Sequence, residues 1–316
     1  MEHAVIRRGL PYRRLNRYVI VVEPGGRLPI IFYNMLGPST SHAGGYLADT
    51  KQLSRQLLAE AGISVPRSRT FTRDEQHQAW QWAQTLTEPA VIKPTRLSRG
   101  RGVTTGIRTE DEFHQAWNRA FNAYGTSKQM QLALVEQHFS GDDYRCFVVG
   151  GRLVSVTMRR RASVVGDGSS TILELIEAKN RRRAEHPMLH RYPIPDSLEH
   201  LDDLAASGAC LQDVPAENTR VTLRRVSNLA SGGDSIDFTE TIHPGFAEIA
   251  VQAVEAIPGV ECLGVDLIAT SITEAPTPEN HLVTEVETAP MPMTEFPVEG
   301  KPRDMAGAVL EHFLPV

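Results

Sequence analysis

Three carboxylates, two lysines and a run of arginines are the side chains whose types and spacing could do chemistry together in this 316-residue chain. Glu285 and Glu287 lie two residues apart in "HLVTEVE", so on a strand both point to one face. Asp266, in "CLGVDLIAT", falls on the strand expected beside them. Three carboxylates on one face repel each other unless cations neutralise them. Hard oxygen donors of this kind suit Mg²⁺, which keeps waters and is completed by substrate phosphates. An isolated E-x-E is usually a solvated acidic face, but Val265, Leu267, Val283 and Val286 argue for partly buried strands. Lys93 ends the β-branched run that opens "VIKPTRLSRGRGVTTGI" (91–107), ahead of Arg96, Arg99, Gly100, Arg101 and Gly102. A Walker loop is excluded, because its lysine follows the glycines and opens a helix. The glycine spacing also excludes the dinucleotide fingerprint. Lys51 falls in the first turn of a helix, where positive charge opposes the helix dipole and a nearby anion would account for it. Taken singly, Lys93 reads as a surface lysine and the arginines as a solvated loop. Together with the carboxylates they point to a nucleoside triphosphate held with a metal.

These residues need elements to hold them. "YVIVVE" (18–23) and "LPIIFY", joined through Gly25-Gly26, read as a hairpin. A helix is expected from Asp49, with Leu53, Leu57 and Leu58 on one face, Gly62 at its stop and Pro66 beyond. Thr72 with Glu75, and Thr109 with Glu112, are capping-box signatures. The second leads into Phe113, Trp117, Phe121 and Tyr124 at helical spacing, which reads as core, not as a stacking platform for bases. "LALVE" (132–136) is a strand, and "YRCFVV" and "RLVSVTM" flank Gly150-Gly151 as a tight hairpin. "TILELIEAKN" reads as a helix, and residues 181–196, without a clear period, as a long surface loop of the kind that covers substrates. "PGFAEIAVQAVEAI" is a helix with Pro244 in its first turn. Hairpins mixed with helices favour an α+β architecture over one doubly wound sheet. The expected division is an N-terminal subdomain (1–66), a central subdomain with the mobile loop (67–137) and a C-terminal subdomain with the carboxylates (138–316).

A composition of 41% hydrophobic and 22% charged residues is that of an ordered globular protein. The formal charge of −5 argues against a general nucleic-acid binder. Cys146, Cys210 and Cys262 lack CxxC spacing and read as buried thiols of a reducing compartment. No apolar stretch approaches membrane-spanning length, and the first residues lack the apolar core of a signal peptide. The expected location is the cytoplasm, with no membrane and no nucleic-acid partner.

At this point the sequence resembles the ATP-grasp ligases, and within them the ATP-grasp portion of cyanophycin synthetases and of bifunctional glutathione synthases. The resemblance rests on "GLPYRRLNR" (9–17), "TSHAGGYLADTKQLSRQLLAEAGISVP" (40–66), "VIKPTRLSRGRGVTTGI" (91–107) and "LVEQHFSGDDYRCFVVGGRLV" (134–154). It continues in "RRRASVVGDGSSTILELI" (159–176), "NLASGGDSIDFTETIHP" (228–244), "GVDL" (264–267) and "EGKPRDMAGAVLEHFLP" (299–315). It covers nearly the whole chain. It ends where a cyanophycin synthetase continues into a Mur-ligase-like half, so a free-standing ligase is expected.

The resemblance implies an ATP-grasp fold of mixed and antiparallel sheets, with ATP held between the central and C-terminal subdomains. Lys51 and Lys93 are then expected at the phosphates, under a loop from Ser98 through Gly100 and Arg101 to Gly102. Glu136, Gln137, His138 and Phe139 form the strand beside adenine, and Asp143 meets the ribose. Arg159 is aimed at the transferred phosphate. Asp266, Glu285 and Glu287 hold two Mg²⁺ ions, for which Mn²⁺ can substitute. Glu287 departs from the E-x-N of these ligases, and Thr50-Lys51 from their Asp-Lys. Arg145, Asn228, Ser231, Gly232 and Gly233 are candidates for the acceptor side, with "SGG" reading equally well as a tight turn. The implied reaction joins a small-molecule carboxylate to an amine through an acyl phosphate, releasing ADP and phosphate; a homodimer is possible. The rivals are a small-molecule kinase on the same fold and a degenerate ATP-binding regulatory protein.

Overall fold

The computed structural model describes residues 1–95, 97, 100–126 and 130–315. Arg96, Ser98 and Arg99 of the expected phosphate loop lie outside the described residues. Two antiparallel sheets carry the chemistry-bearing side chains. The larger has five strands in the order Asp234–Asp237, Arg152–Arg160, Asp142–Val149, Cys262–Ala269 and His281–Glu287. The other has four, in the order Ser68–Phe71, Ala133–Gln137, Ala90–Pro94 and Thr104–Ile107. A three-stranded sheet near the N-terminus contains the hairpin expected across Gly25-Gly26. Gly150 and Gly151 both have positive φ, 54° and 73°, as a two-residue turn that follows the strand twist requires.

Four of these strands gather one core. Phe71, Ile92, Ala133 and Val135 from the four-stranded sheet bury against Phe113, Trp117, Phe121 and Tyr124 of the helix Glu110–Asn122. That helix opens on the expected capping box, with Thr109 accepting from the Glu112 N–H and Glu112 accepting from the Thr109 N–H. The five-stranded sheet buries one face under the helix Pro244–Glu255, through Phe246, Ala250, Ala253 and Val254. The first residues of the chain share cores with this sheet. Ala48, Leu58 and Ile63 join the cluster of Phe246 and Val265, while Val5, Ile20 and Phe32 join Phe147, Val309 and Leu310.

The structure departs from the sequence reading in four places. A helix His42–Asp49 ends at Thr50, whose extended backbone (φ −98°, ψ 93°) resets the direction before a second helix, Lys51–Glu60. The helix expected from Asp49 is the second of these, beginning two residues later with Lys51 at its very N-terminus, and the helix before it was not expected. The Thr72–Glu75 capping box opens a 3-10 turn (Arg73–Glu75) before the α-helix Gln76–Ala83 begins. Cys146 and Cys262 are buried as expected, but Cys210 is exposed and donates from Sγ to Asp213.

Residues 181–196 are only in part the expected surface loop, since 181–185 are helical and three of the sixteen side chains are buried. The helix Ile172–Glu185 runs on through the arginines, and Leu189 and Ile194 are buried. Arg183 is only 4% exposed and donates to Asp234, the Gly233 carbonyl and the Tyr192 carbonyl, while Lys179 also pairs with Asp234. Arg183 is buried within a mostly exposed segment because its charge finds a partner 51 residues away. Removing one partner of a buried pair costs about 3 kcal/mol or more, because the other charge is left uncompensated. Arg183→Ala should therefore lower the unfolding free energy by about 3 kcal/mol, whereas exposed Arg182→Ala should change it by less than about 0.5 kcal/mol. Chemical denaturation of both variants checks this; equal effects would return the segment to the surface.

Candidate active site

A cleft of about 630 Å³ opens between the two sheets, within the usual size range of small-molecule sites. The four-stranded sheet lines it with Val91, Lys93, Thr105, Glu136 and Gln137, and the five-stranded sheet with Asp143, Arg145, Arg159, Ile268, Glu285 and Glu287. Lys51 enters from the helix below Thr50, and Ser227, Asn228 and Leu229 from the segment before the strand Asp234–Asp237. Residues more than 230 positions apart in sequence are thus neighbours, as the Lys51–Glu285 ion pair shows.

Strand register places the charged groups. Asp266 stands directly across from Arg145 on one side and from Glu285 on the other. Arg145 grips Asp266 with two bonds, Nε to Oδ1 at 2.6 Å and Nη2 to Oδ2 at 2.7 Å, and its Nη1 pairs with Glu287. Arg159 donates to Asp266 at 2.8 Å and to Asp143 at 2.5 Å, and Asp143 also accepts from Ser227. The register slips by one residue after Asp266, which leaves Thr284 outside the ladder and aims Glu285 towards Lys51. Lys93 pairs with Glu136 at 2.8 Å, and the other Glu136 oxygen lies 2.5 Å from Arg55.

Every cleft cation named above is therefore faced by a carboxylate. Burial opposes ionisation of Asp266, yet Arg145 and Arg159 hold its carboxyl below the usual range. Burial is likewise overcome at Glu136 by Arg55 and Lys93, and at Glu285 by Lys51 and Lys93. Glu287 goes the other way. Its side chain is 42% exposed but Oε2 is buried, and burial with the nearby Asp266 and Glu285 charges outweighs Arg145 and raises its pKa. Burial lowers the pKa of Lys93 despite Glu136, whereas Glu285 raises that of Lys51 against the burial penalty. The anion that the Lys51 position called for is supplied by the chain itself, as Glu285.

Asp266, Glu285 and Glu287 come together on one sheet face as the strand period implied. Their oxygens are the hard donors Mg²⁺ takes, so the residues fit a divalent cation. As they are placed, no three acidic, His or Cys groups among the described residues could together hold a metal ion, and basic side chains pair with these carboxylates instead. Lys51, Lys93, Gly100, Glu136, Gln137, His138, Phe139, Asp143, Arg145, Arg159 and Asn228 all line the cleft. Arg101 and Gly102 do not: Arg101 is exposed, and Gly102 packs so tightly that a Cβ would lie 2.9 Å from Pro94. Ser231, Gly232 and Gly233 do not line it either. Gly232 is left-handed (φ 93°), and a Cβ on Gly233 would lie 2.6 Å from the Ser227 carbonyl. The tight-turn reading of "SGG" is the one the packing requires, and of the acceptor-side candidates Arg145 and Asn228 reach the cleft. Sequence reasoning missed Arg55 and Ser227. Arg55 could have been found as a charged residue on the buried stripe of Lys51, Ser54 and Leu58.

Comparison with known proteins now bears on this geometry. Residues 49–170 match the family described as phosphoribosylglycinamide synthetase, ATP-grasp (A) domain. The crystal structure of a bifunctional glutathione synthetase from Pasteurella multocida shares the fold with a TM-score of 0.71 and 28% identity, over 98% of this chain and 43% of that one. The chain has the ATP-grasp fold. It is 32% identical to the cyanophycin synthetase of Trichormus variabilis, over 98% of this chain and 34% of that protein. It is 33% identical to the glutathione biosynthesis bifunctional protein of Mannheimia succiniciproducens, over 88% of this chain and 37% of that protein. The chain thus spans about a third of the length of these curated relatives. ATP-grasp ligases as a class use ATP and Mg²⁺. Among the described residues no helix is long and apolar enough to cross a membrane.

A pH dependence follows from Asp266. Its folded-state pKa lies below the ordinary value. Its contribution to stability is therefore present above about pH 4 and lost as the pH falls below that. Asp266→Asn should destabilise the chain most near neutrality, and the gap from wild type should narrow as the pH falls below about 4. Thermal unfolding across that range tests it; a gap independent of pH would show that ionised Asp266 contributes nothing.

Proposed function

We propose that the chain is an ATP-dependent carboxylate–amine ligase acting on small molecules such as amino acids or short peptides. The observation that carries this is the convergence, in one cleft, of Lys51, Lys93 and Arg159 with Asp266, Glu285 and Glu287. In this reading Lys51 and Lys93 meet the triphosphate of ATP, with Gly100 beside it. The strand end Glu136–Phe139 borders the adenine, and Asp143 the ribose. Asp266, Glu285 and Glu287 hold Mg²⁺, two ions in the full complement, with Mn²⁺ able to substitute. When bound, the metal neutralises charge on the phosphate oxygens.

The substrate carboxylate attacks the γ-phosphorus, the bond to the β,γ-bridging oxygen breaks, and ADP leaves an acyl phosphate behind. The amine then attacks the acyl carbon, the carbon–oxygen bond breaks, and phosphate departs as the amide nitrogen loses a proton. The dispersed negative charge of the phosphoryl group is what Arg159 and Lys93 are placed to stabilise. Arg145 pairs with both Asp266 and Glu287, and Asn228 lines the same cleft. These are the groups we assign to holding the acid and the amine.

Screening pairs of amino acids for release of both ADP and phosphate tests the reaction. Production of ADP with the phosphate retained on the product would instead make the protein a kinase. Lys93→Ala should cut turnover by about a hundredfold or more, since a preorganised charge at the reacting oxygens is lost. Near-wild-type turnover would remove Lys93 from the phosphates. For Glu287, Asn should keep substantial activity, whereas Ala should raise the Mg²⁺ concentration needed. Superimposable Mg²⁺ titrations for wild type, Asn and Ala would take Glu287 out of the metal site.

A further inference from the structure

Arg55 belongs to no group assigned above, yet it is 4% exposed and touches the supports of three of them. Its Nε and Nη2 both donate to the carbonyl of Thr284, at 2.9 and 2.8 Å. Thr284 is the residue left outside the ladder by the register slip, so its carbonyl is available to accept from outside the sheet. The same guanidinium reaches Glu136 through Nη1 at 2.5 Å, and the other Glu136 oxygen holds Lys93. Arg55 also lies four residues after Lys51 on one helix, hence on the same face. One buried, planar, permanently charged group thus ties the helix bearing Lys51, the strand bearing Glu136 and the bulge that aims Glu285.

We infer that Arg55 is a positioning residue, which sets the spacing of Lys51, Lys93 and Glu285 for the phosphate end of the nucleotide without touching the nucleotide itself. The inference rests on the nucleotide reading of the cleft. Lysine cannot replace it fully. A single ammonium lacks the fixed fork that serves a carbonyl and a carboxylate at once. The phosphate end should suffer more than the base end, because the hinge residues Gln137 to Phe139 are held by other contacts. The Gln137 N–H donates to the Arg67 carbonyl and the His138 N–H to the Pro89 carbonyl.

The test is calorimetric binding of two ligands, the non-hydrolysable triphosphate AMPPNP with Mg²⁺ and AMP, to wild type, Arg55→Lys and Arg55→Met. Loss of charge-assisted hydrogen bonds that orient the lysines should weaken AMPPNP by about tenfold or more in Arg55→Met. AMP, which lacks the β- and γ-phosphates, should change by less than about twofold, a difference near the limit of what the altered contacts carry. Arg55→Lys should show the same split between ligands at a smaller size, and it remains informative if the methionine variant does not fold. Equal weakening of both ligands would make Arg55 a general support of the cleft and overturn the inference, as would unchanged AMPPNP binding in a folded variant. Failure of the wild-type chain to bind AMPPNP at all would instead overturn the nucleotide reading on which the inference stands.

Discussion

A carboxylate with 2% of its surface exposed stays ionised only where cations are brought to it, and Asp266 receives two. Arg145 arrives in direct register from the adjoining strand, and Arg159 from the strand beyond that. The order of the three central strands is therefore tied to charge balance at one pair of oxygens. Each arginine has donors to spare, and these reach outward to Glu287 and to Asp143, which in turn accepts from Ser227. A sheet built only for packing would have no reason to put its most polar residues at its centre. Here the helix-covered face is apolar, through Val265 and Leu267, and the opposite face carries the charged network. The one-residue slip after Asp266 lets the two faces coexist along the strand His281–Glu287.

Cations in the cleft are kept in place by the chain's own acids. Lys51, Lys93, Arg145 and Arg159 are long side chains that lose considerable freedom when fixed. Carboxylate partners hold them extended into a low-dielectric space that would otherwise favour neutral lysine, as the lowered pKa of Lys93 shows. An arriving polyanion meets side chains already ordered, though it must compete with the acids for them.

Much of this was legible in the sequence because the relevant patterns are local. The E-x-E period, the two capping boxes, the aromatic stripe from Phe113 to Tyr124 and the diglycine hairpin each declare themselves within a dozen residues. The failures share a physical cause. Arg183 and Arg55 look like surface residues because nothing nearby reveals Asp234, Glu136 or the Thr284 carbonyl. Burial of charge is decided by partners that only tertiary structure supplies. The helix His42–Asp49 was missed for another reason, since Gly44 and Gly45 within it disfavour a helix. The pair Gly232-Gly233 suggested chemistry through the family resemblance, but tight backbone packing accounts for both glycines.

The four-stranded sheet has a consequence for how the chain comes to be folded. Ser68 and Glu136 are cross-strand partners, so the polypeptide enters and leaves this body at one place, like a bead pinched from a thread. Among the described residues, its core draws only on those from Phe71 to Val135. The surrounding structure has the opposite character. Val5 and Phe32 wait for Val309 and Leu310, and Leu58 waits for Val265 and Val286. On a ribosome the bead can close early, while the N-terminal segment that precedes it stays without its partners until nearly the last of the described residues has been made. The apolar strands Val19–Val22 and Ile30–Tyr33 are thus the part of the molecule longest exposed to wrong company.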